Sequence, residues 1–178
     1  MSLAYIALGA NLPSSAGPPE ATLAAAVEGL TVLGRITARS SLYSTAPVGF
    51  ADQPRFVNAV VAMETDRSPR ELLNGLRAIE QVFGRDRAAS PPNGPRTLDL
   101  DILLYGDLAL CASGLEIPHP RLAGRAFVLV PLNEIAPHLR DPRSQKTVAQ
   151  LLEALPDRSA PDAVARIECD LWATKIVG

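Results

Sequence analysis

The chain has 178 residues, of which 47% are hydrophobic and 20% charged, and this size and composition predict one soluble globular domain over residues 1–178. Its 17 basic and 19 acidic residues leave a formal net charge of -2, so we expect no nucleic-acid partner. The N-terminus has no basic segment before its short apolar run, and no stretch approaches the roughly 18 apolar residues of a membrane span. We therefore expect a cytoplasmic protein that does not enter a membrane.

The first 47 residues predict a strand, a helix and a second strand. The apolar run at 3–11, LAYIALGAN, is typical of a buried strand followed by a turn. Apolar residues recur at helical spacing between positions 23 and 30 and predict a helix that ends before Gly34. The segment 35–47 alternates loosely between polar and apolar residues and predicts a second strand that runs into a loop.

The third predicted strand, at 55–65, places an aromatic ring and an amide on one face. Its alternate apolar residues share the opposite face: Val57, Ala59, Val61 and Met63. Phe56 and Asn58 therefore point the same way. An asparagine inside an apolar strand needs hydrogen-bond partners, which favours a ligand-binding role for Asn58.

The second predicted helix is marked by its first turn. Ser68 and Glu71 form a capping box around Pro69, a proline at the first helical position. The buried stripe of this helix, which ends at Gly84, consists of Leu72, Leu73, Leu76 and Ile79. Glu80 lies in the last turns, where the helix macrodipole disfavours an acid, so we expect another group to interact with it.

A basic loop, RDRAASPPNGPR, follows at 85–96. Its proline, glycine and small residues predict an exposed and mobile segment. The apolar strand GPRTLDLDILLYG comes next, at 94–106. Beyond it we expect a hairpin-like turn at 106–107 and a short strand to about Cys111.

The last third of the chain predicts shorter elements. The segment 117–137 mixes a proline-fixed turn with apolar residues and predicts short helices, and 147–155 predicts a further helix. The segment 163–172 alternates and predicts a late strand. The order β-α-β-β-α-β-β, with helices interleaved among strands, predicts an α+β fold with a largely antiparallel sheet covered by helices.

Two carboxylates interrupt the apolar strand at 94–106. Residues two apart project from the same face of a strand, so Asp99 and Asp101 converge on one small volume. The opposite face carries Leu98, Leu100, Ile102 and Leu104. Two aligned carboxylates repel each other unless a cation lies between them, and hard oxygen ligands suit one or two Mg²⁺ ions. The alternative is a solvated strand face with two ordinary aspartates, which a bare Asp-x-Asp pattern favours.

Arginines of the basic loop support the metal interpretation. Arg85, Arg87 and Arg96 lie close to the carboxylates in sequence, and arginine binds phosphate oxygens in a bidentate manner. Carboxylates for magnesium beside arginines on a mobile loop are the components of a nucleoside triphosphate site, although a GxxxxGK[ST] loop is absent. Considered alone, the arginines are equally typical of a solubilising loop.

The strand sequence GPRTLDLDILLYG resembles the signature of the 6-hydroxymethyl-7,8-dihydropterin pyrophosphokinase family. The similarity extends over most of the chain, through AYIALGANL, LYSTAPVGFADQPRFVNAVVAMET, SPRELLNGLRAIEQVFGR and IPHPRLAGRAFVLVPLNEIAP. This resemblance implies a monomeric three-layer αβα sandwich on a ferredoxin-like core. It also implies transfer of pyrophosphate from ATP to the hydroxymethyl group of the pterin in folate biosynthesis, with AMP released and two Mg²⁺ ions as cofactors.

The same resemblance implies a role for individual residues. Asp99 and Asp101 match the magnesium ligands of the family. The catalytic set is Asp99, Asp101, Arg85 and Arg96. The positions that match ATP-binding residues are Glu80, Arg77, Arg85, Arg87, Arg96, His119, Arg125 and, through its backbone, Ile102. The positions that match pterin-binding residues are Thr45, Pro47, Val48, Phe56, Asn58 and Phe127, with the two phenylalanines on either side of the ring.

Some of these positions have plainer interpretations or depart from the family. Phe127 beside Val-Leu-Val is also typical of a core residue, and His119 between two prolines is also typical of a turn. Arg77 stands where some relatives have glutamine. Asn93 stands where some have tryptophan, so we expect closure of the basic loop to differ in detail.

Two other functions stay open on the sequence alone. Another magnesium enzyme, such as a nucleotidyltransferase or a phosphohydrolase, is one alternative for the carboxylate pair. A non-catalytic nucleotide-binding module that holds a structural cation is the other. The nucleotide product distinguishes these functions, because the pyrophosphokinase releases AMP together with a pterin diphosphate in equal amounts.

Overall fold

The computed structural model describes residues 1–49, 51–156 and 164–172. Its strands are β1 (Ser2–Ala10), β2 (Arg35–Arg39), β3 (Leu42–Thr45), β4 (Phe56–Thr65), β5 (Asp99–Tyr105), β6 (Leu110–Ala112), β7 (Leu115–Ile117) and β8 (Val164–Ile167). Its helices are α1 (Pro19–Leu30), α2 (Pro69–Val82), α3 (Ala126–Ile135) and α4 (Val148–Glu153), with a 3₁₀ turn at Leu122–Gly124.

The main sheet is antiparallel throughout its described part. Its strands follow the order β5-β1-β4-β3-β8, and β2 pairs with β4 as well. The chain thus runs β-α-β-β-β-α-β through its first two thirds. β2 and β3 both pair with β4 and together take the place of one strand, and the strand after α2 lies at the edge beside β1. This is a ferredoxin-like topology, and it confirms the predicted α+β fold with a largely antiparallel sheet.

Two apolar clusters lie on opposite faces of the sheet. The first cluster joins α1 and α2 to the face that carries the predicted stripe of β4, Val57, Ala59, Val61 and Met63. The second joins α3 and α4 to the other face, around Val60, Ala62 and Leu103. The layers are therefore helix, sheet and helix, and α1 and α2 bury the apolar stripes predicted for them.

The predicted capping box at the start of α2 is confirmed. The Ser68 hydroxyl accepts a hydrogen bond from the Glu71 backbone N–H at 3.3 Å, and the Glu71 carboxylate accepts one from the Ser68 N–H at 2.8 Å. Because the first turn is held in this way and Leu72, Leu76 and Ile79 face the first cluster, the register of the helix places Glu80 in its last turn, buried against β5.

The single strand predicted at 35–47 is wrong, because this segment forms two strands. β2 pairs with the C-terminal half of β4 and β3 with its N-terminal end. Ser40 lies between them, and its hydroxyl accepts a hydrogen bond from the Val60 N–H at 3.0 Å. The Ser40 side chain thus replaces a backbone acceptor in the hydrogen-bond ladder with β4. The segment therefore bends at Ser40 and still runs along β4.

The region after β5 differs from the prediction in two respects. The turn predicted at 106–107 is present, with the Leu108 N–H donating to the Tyr105 carbonyl at 3.1 Å, and β6 confirms the short strand predicted to about Cys111. β6 pairs with β7 across the two-residue turn Ser113-Gly114, however, so the hairpin is formed there and not across 106–107. A shift in the β1–β5 register, after Ile102, also moves Leu104 out of the face shared by Leu98, Leu100 and Ile102 and into the second cluster.

The C-terminal strand is shorter than predicted. Of the segment 163–172, residue 163 lies outside the described residues and β8 ends at Ile167. β8 pairs with β3 and places Val164 opposite Thr45. Beyond it Trp172 is buried, and its indole N–H donates to the Ser40 carbonyl at 2.7 Å. In the described part of the chain, no helix has the length and apolar character needed to cross a membrane.

Candidate active site

Asp99 and Asp101 lie at the start of β5, an edge strand of the sheet. Asp99 is already bound by cations of the chain itself. Arg96 Nη1 lies 2.8 Å from Asp99 Oδ2, and Arg87 Nη2 lies 3.4 Å from Oδ1. The arginines of the basic loop therefore relieve part of the repulsion predicted between the two carboxylates.

Asp101 has no such partner. Its carboxylate forms no hydrogen bond or ion pair with any described residue. Burial, followed by the charges of Asp99 and Glu80, raises the pKa of Asp101 from 3.8 to about 7, while Arg87 and Arg125 act in the opposite direction. A desolvated carboxylate with unused oxygens is well suited to a hard divalent cation.

Glu80, the acid predicted to need another partner, has two. Its buried carboxylate accepts hydrogen bonds from Arg87 Nε at 3.0 Å and Nη2 at 2.8 Å, and from the Leu100 N–H at 2.8 Å. Burial still raises the pKa of Glu80 against these partners. For Arg87, burial lowers the pKa, but the hydrogen bonds and charge of Glu80 raise it overall. The pair joins the basic loop and β5 to the end of α2.

Arg85 is a cation without a matching acceptor. Its Nε and Nη1 atoms are buried and have no hydrogen-bond partner among the described residues. Burial lowers the pKa of Arg85, and the charge of Asp99 acts in the opposite direction. Arg85 as a whole is half-buried, but a buried donor without an acceptor costs roughly 1–3 kcal/mol. The position therefore favours an anionic ligand, whose oxygens would complete these hydrogen bonds.

Arg96 connects the carboxylates to an aromatic ring. Its guanidinium carbon lies 5.2 Å from the centroid of Phe56, while Nη1 contacts Asp99 and Nε donates to the Gly94 carbonyl at 3.1 Å. The backbone N–H of Arg96 donates to the side-chain oxygen of Asn11 at 2.8 Å. One side chain thus spans the predicted phosphate-binding residues and the predicted pterin-binding residues.

The polar side of the predicted pterin pocket lies on β3 and β4. Asn58 is buried, and its Nδ2 donates to the Thr45 hydroxyl at 2.7 Å. Gly9 on β1 is directly opposite Asn58, and a Cβ there would lie only 2.6 Å from Asn58 Oδ1. A glycine at position 9 is therefore required for this amide orientation, which leaves the in-plane hydrogen-bonding groups of Asn58 beside Phe56.

Phe127 and Arg125 enter from the start of α3. Phe127 is half-buried and packs against the second cluster, and the Arg125 guanidinium lies 5.3 Å from its ring centroid. Burial, followed by the charge of Arg121, lowers the pKa of Arg125, while the charges of Asp101 and Asp99 act in the opposite direction. Both interpretations of Phe127 thus have support, since it contacts the core with part of its ring and leaves the rest accessible.

His119 lies on the turn after β7. Its backbone N–H donates to the Leu103 carbonyl at 2.9 Å, and its Nδ1 accepts a hydrogen bond from the Arg121 N–H at 3.1 Å. Burial, followed by the charges of Arg125 and Arg121, lowers the pKa of His119 to about 4. The imidazole is therefore neutral near pH 7, with Nε2 carrying the proton.

The remaining predicted residues differ in whether they contact the carboxylates and arginines of the candidate site. Ile102 is buried in the first cluster, so only its backbone, on an edge strand, is open to a ligand. Arg77 is exposed on α2, and no contact links it to the cluster within the described residues. Pro47 is half-buried and Val48 is 64% exposed in the loop after β3. Phe50 of that loop lies outside the described residues.

Four residues near the site escaped the sequence interpretation. These are Gly9, Asn11, Gln53 and Arg121. Gly9 and Asn11 belong to the Gly-Ala-Asn segment that marks the end of β1, and they were interpreted only as turn residues. Gln53 carried no local signal, because Asn11 and the Asn93 carbonyl belong to other segments. Arg121 contacts His119, two residues earlier, through its backbone N–H, which its residue type does not indicate.

Comparison with protein families gives a match to this arrangement. The family model described as 7,8-dihydro-6-hydroxymethylpterin-pyrophosphokinase (HPPK) matches residues 5–137. A Pseudomonas aeruginosa protein named 2-amino-4-hydroxy-6-hydroxymethyldihydropteridine pyrophosphokinase is 46% identical over 154 residues, which is 85% of this chain and 91% of that protein. A Haemophilus influenzae protein of the same name is 43% identical over 159 residues, 88% of this chain and 95% of that protein.

Solved structures support the fold. The crystal structure of Plasmodium falciparum HPPK-DHPS superposes with a TM-score of 0.67 over 85% of this chain at 16% sequence identity. Only 44% of that longer chain is matched, so the present chain spans less than half the length of this solved relative. At this level of identity the likeness concerns the α+β architecture.

Proposed function

The chain belongs to the 7,8-dihydro-6-hydroxymethylpterin-pyrophosphokinase family, and we propose that it transfers the pyrophosphoryl group of ATP to the hydroxymethyl group of 6-hydroxymethyl-7,8-dihydropterin. The products are the pterin diphosphate and AMP, and the reaction is a step of folate biosynthesis. The enzyme is of the diphosphokinase type.

The observation that carries this proposal is the position of Arg96. Its guanidinium contacts the Asp99 carboxylate at 2.8 Å and stacks over the Phe56 ring at 5.2 Å. A residue that binds phosphate on one side and borders an aromatic pocket on the other matches a reaction between a polyphosphate and a flat heterocycle. A hydrolase acting on a nucleotide alone has no need of the second half of this site.

The residues present fit a magnesium site that is completed by the substrate. Asp101 has unused carboxylate oxygens, and Asp99 lies two residues away on the same face. No cluster of three or more His, Cys, Asp or Glu side chains is positioned for a metal within the described ranges. Magnesium held by one or two carboxylates takes its other ligands from phosphate and water. When bound with ATP, Mg²⁺ would neutralise charge on the phosphate oxygens, and we propose two such ions.

The arginines would supply the rest of the charge neutralisation. We assign Arg85, Arg87 and Arg96 to the triphosphate, where their charge opposes the negative charge that develops as the pterin hydroxyl attacks the β-phosphorus. The new bond joins the hydroxymethyl oxygen to the β-phosphorus, and the bond from that phosphorus to the α-phosphate oxygen breaks as AMP leaves. The hydroxyl O–H bond breaks in the same conversion, and its proton passes to solvent. Positioning and electrostatics suffice for this chemistry, so no nucleophilic side chain is required.

The remaining assigned residues would bind the two substrates. We assign Asn58 and the Thr45–Val48 segment to the edge of the pterin and the two phenylalanines, Phe56 and Phe127, to its faces. His119, neutral and with a proton on Nε2, would donate a hydrogen bond to the nucleotide, beside Arg125. Glu80, as a residue that lines the nucleotide pocket, is assigned to the nucleotide as well, together with the Ile102 backbone and Arg77.

Closure of two loops would exclude water from the site. The loops are 45–53 and the basic loop, and both contain glycine, proline and small residues. Their hydrogen exchange is expected to slow when ATP and a pterin are bound together. Equal protection with and without the ligands would contradict this part of the proposal.

The protein is also proposed to act as a monomer in the cytoplasm, with residues 1–178 forming one domain. The support is the balanced composition, with a net charge of -2, and the packing of helices from both halves of the chain on one sheet.

Turnover that needs all three reactants tests the proposed function. Pterin diphosphate should form only when ATP, Mg²⁺ and the reduced pterin are present together, and Asp99→Asn and Asp101→Asn should each reduce turnover by at least about 100-fold. An exposed aspartate on the turn after β5, Asp107, provides the matched control as Asp107→Asn. Unchanged turnover in Asp99→Asn and Asp101→Asn would overturn the assignment.

A further inference from the structure

Asn11 is a buried polar residue at the end of β1, and all its amide groups are in use. It is 3% exposed. Its Nδ2 donates to the Gln53 side-chain oxygen and to the Pro54 carbonyl, both at 3.0 Å, and its Oδ1 accepts a hydrogen bond from the Arg96 N–H at 2.8 Å. These partners belong to two different segments, one on each side of the candidate site.

Backbone N–H groups at Asn11 and the next residue also bind Arg96. The N–H groups of Asn11 and Leu12 both donate to the Arg96 carbonyl, at 3.0 and 3.1 Å. Both backbone polar groups of Arg96 are thus bound by the same short turn. The direction in which the Arg96 side chain leaves the main chain, toward Asp99 and Phe56, is therefore determined by this turn.

Gln53 continues the network to the basic loop. Its Nε2 donates to the Asn93 carbonyl at 2.8 Å, while its oxygen accepts from Asn11. Each end of the Gln53 amide has a partner of the opposite type, so the two amide orientations in the network agree with each other. One side chain therefore joins the segment 51–55, which leads into β4, to the basic loop that carries Arg85 and Arg87.

We propose that Asn11 and Gln53 are positioning residues that couple the pterin side of the site to its phosphate side. Asn11 orients Arg96, and Gln53 holds the basic loop against the segment that precedes Phe56. Neither residue needs to touch a substrate. This inference rests on the proposed function for its kinetic consequences, but the coupling itself is a property of the free protein.

The physical reason for such coupling is that phosphoryl transfer requires the attacking oxygen and the phosphorus to be placed accurately relative to each other. The pterin hydroxyl and the β-phosphorus are bound by different segments, and a misplacement of about 1 Å can cost about 100-fold in rate. Hydrogen bonds between buried neutral amides hold position without adding charge to a site that already contains several ions. Two loops joined by Gln53 would also adopt their closed arrangement together instead of independently.

Two substitutions separate the halves of the network. Gln53→Glu keeps an oxygen that can accept from Asn11 but cannot donate to the Asn93 carbonyl. Asn11→Asp keeps an acceptor for the Arg96 N–H but cannot donate to Gln53 or Pro54. The matched controls are Gln145→Glu, which removes a donor to the Pro142 carbonyl outside the candidate site, and Asn74→Asp on the exposed face of α2.

The first measurement is hydrogen exchange of the free protein, which does not depend on the reaction. Gln53→Glu should increase exchange at residues 51–55 and 93–96 together, while the control variants leave both segments unchanged. A variant in which one segment alone exchanges faster, or neither does, would overturn the coupling. If Asn11→Asp fails to fold, Gln53→Glu still gives this result, since Gln53 is only half-buried.

The second measurement is steady-state kinetics on the full chain with ATP, Mg²⁺ and the reduced pterin. Gln53→Glu should lower kcat by about tenfold while the KM for ATP changes by less than about threefold. The double variant should be no slower than Asn11→Asp alone, because both residues act in one network. Multiplicative losses would contradict the proposal. If the wild-type protein has no turnover, the proposed function is refuted. The hydrogen-exchange result would still support or contradict the coupling, because it does not depend on the reaction.

Discussion

The Arg87 guanidinium donates two hydrogen bonds to the buried Glu80 carboxylate, through Nε at 3.0 Å and Nη2 at 2.8 Å. The same carboxylate accepts the Leu100 N–H at 2.8 Å, which links three segments of the site. Since Glu80 is 1% exposed, its carboxylate would be desolvated and unsatisfied without these donors, whereas Arg87 is about half exposed and also contacts Asp99. Glu80 is unfavourable near the C-terminus of α2 because of the helix macrodipole, but its carboxylate connects the basic loop and β5 to that helix.

Removing Glu80 should destabilise the free protein. Glu80→Ala removes the acceptor of the buried Leu100 N–H and two hydrogen bonds of Arg87, which keeps its contact with Asp99, and should lower the free energy of unfolding by about 3 kcal/mol. Glu80→Gln can still accept from the Leu100 N–H and should lose only about 1 kcal/mol. Urea unfolding measures both values. Equal stabilities of the two variants would contradict the role assigned to these hydrogen bonds.

Asp101 should make the stability of the free protein depend on pH. Its pKa is raised from 3.8 to about 7, so the unfolded chain releases this proton before the folded chain does. The contribution of Asp101 to the free energy of unfolding therefore falls as pH rises between these two pKa values. At about pH 8, Asp101→Asn should be more stable than the wild type by about 1–3 kcal/mol. This difference in the free energy of unfolding between Asp101→Asn and the wild type should shrink towards about pH 4. The control is Asp107→Asn, and a difference independent of pH would contradict this explanation.

Arg85 should provide a binding site for a polyphosphate even without a metal. Inorganic tripolyphosphate should raise the melting temperature of the wild type in metal-free buffer, and Arg85→Ala should bind it about tenfold more weakly, because the buried Nε and Nη1 atoms supply its hydrogen bonds. Arg35→Ala removes a comparable charge at the far end of β4 and is the control. Equal affinity in Arg85→Ala and Arg35→Ala would show that binding reflects net charge alone.

Gly9 should be needed for pterin binding specifically. In Gly9→Ala the new Cβ would lie 2.6 Å from Asn58 Oδ1, so the amide must move and its hydrogen bond to Thr45 must change. The KM for the pterin should rise about tenfold or more, whereas the KM for ATP stays close to that of the wild type. Gly29→Ala, where the Cβ would meet only ordinary contacts at 3.6 Å, is the control. An equal rise in both KM values would contradict a role confined to the pterin side.

Elements with a local sequence signal were predicted correctly. The capping box of Ser68 and Glu71 and the alternating stripe of β4 depend on neighbouring residues, and the structure contains both. The break at Ser40, the pairing of β6 with β7 and the early end of β8 depend on partners elsewhere in the fold, and each was missed. Pairing partners are set by tertiary packing, which local periodicity does not record.

The candidate site shows the same division. The spacing of Asp99 and Asp101 predicted that they share a strand face, and the composition of the basic loop predicted arginines beside them. The family resemblance then added His119, Arg125 and Phe127 to the set. Asn11 and Gln53 were missed because they lie 42 residues apart in the chain and act through backbone groups of other segments. The arginine contacts of Asp99 were also missed, since a bare pair of carboxylates predicts repulsion and gives no sign of the cations that relieve it.

The nucleotide product is the most direct test of the central claim, which is attack at the β-phosphorus of ATP. With Mg²⁺, ATP and 6-hydroxymethyl-7,8-dihydropterin, the wild-type protein should release one AMP for each pterin diphosphate formed, measured by chromatography of both products from the same reaction. ADP with a pterin monophosphate, or AMP released without pterin diphosphate, would contradict the account.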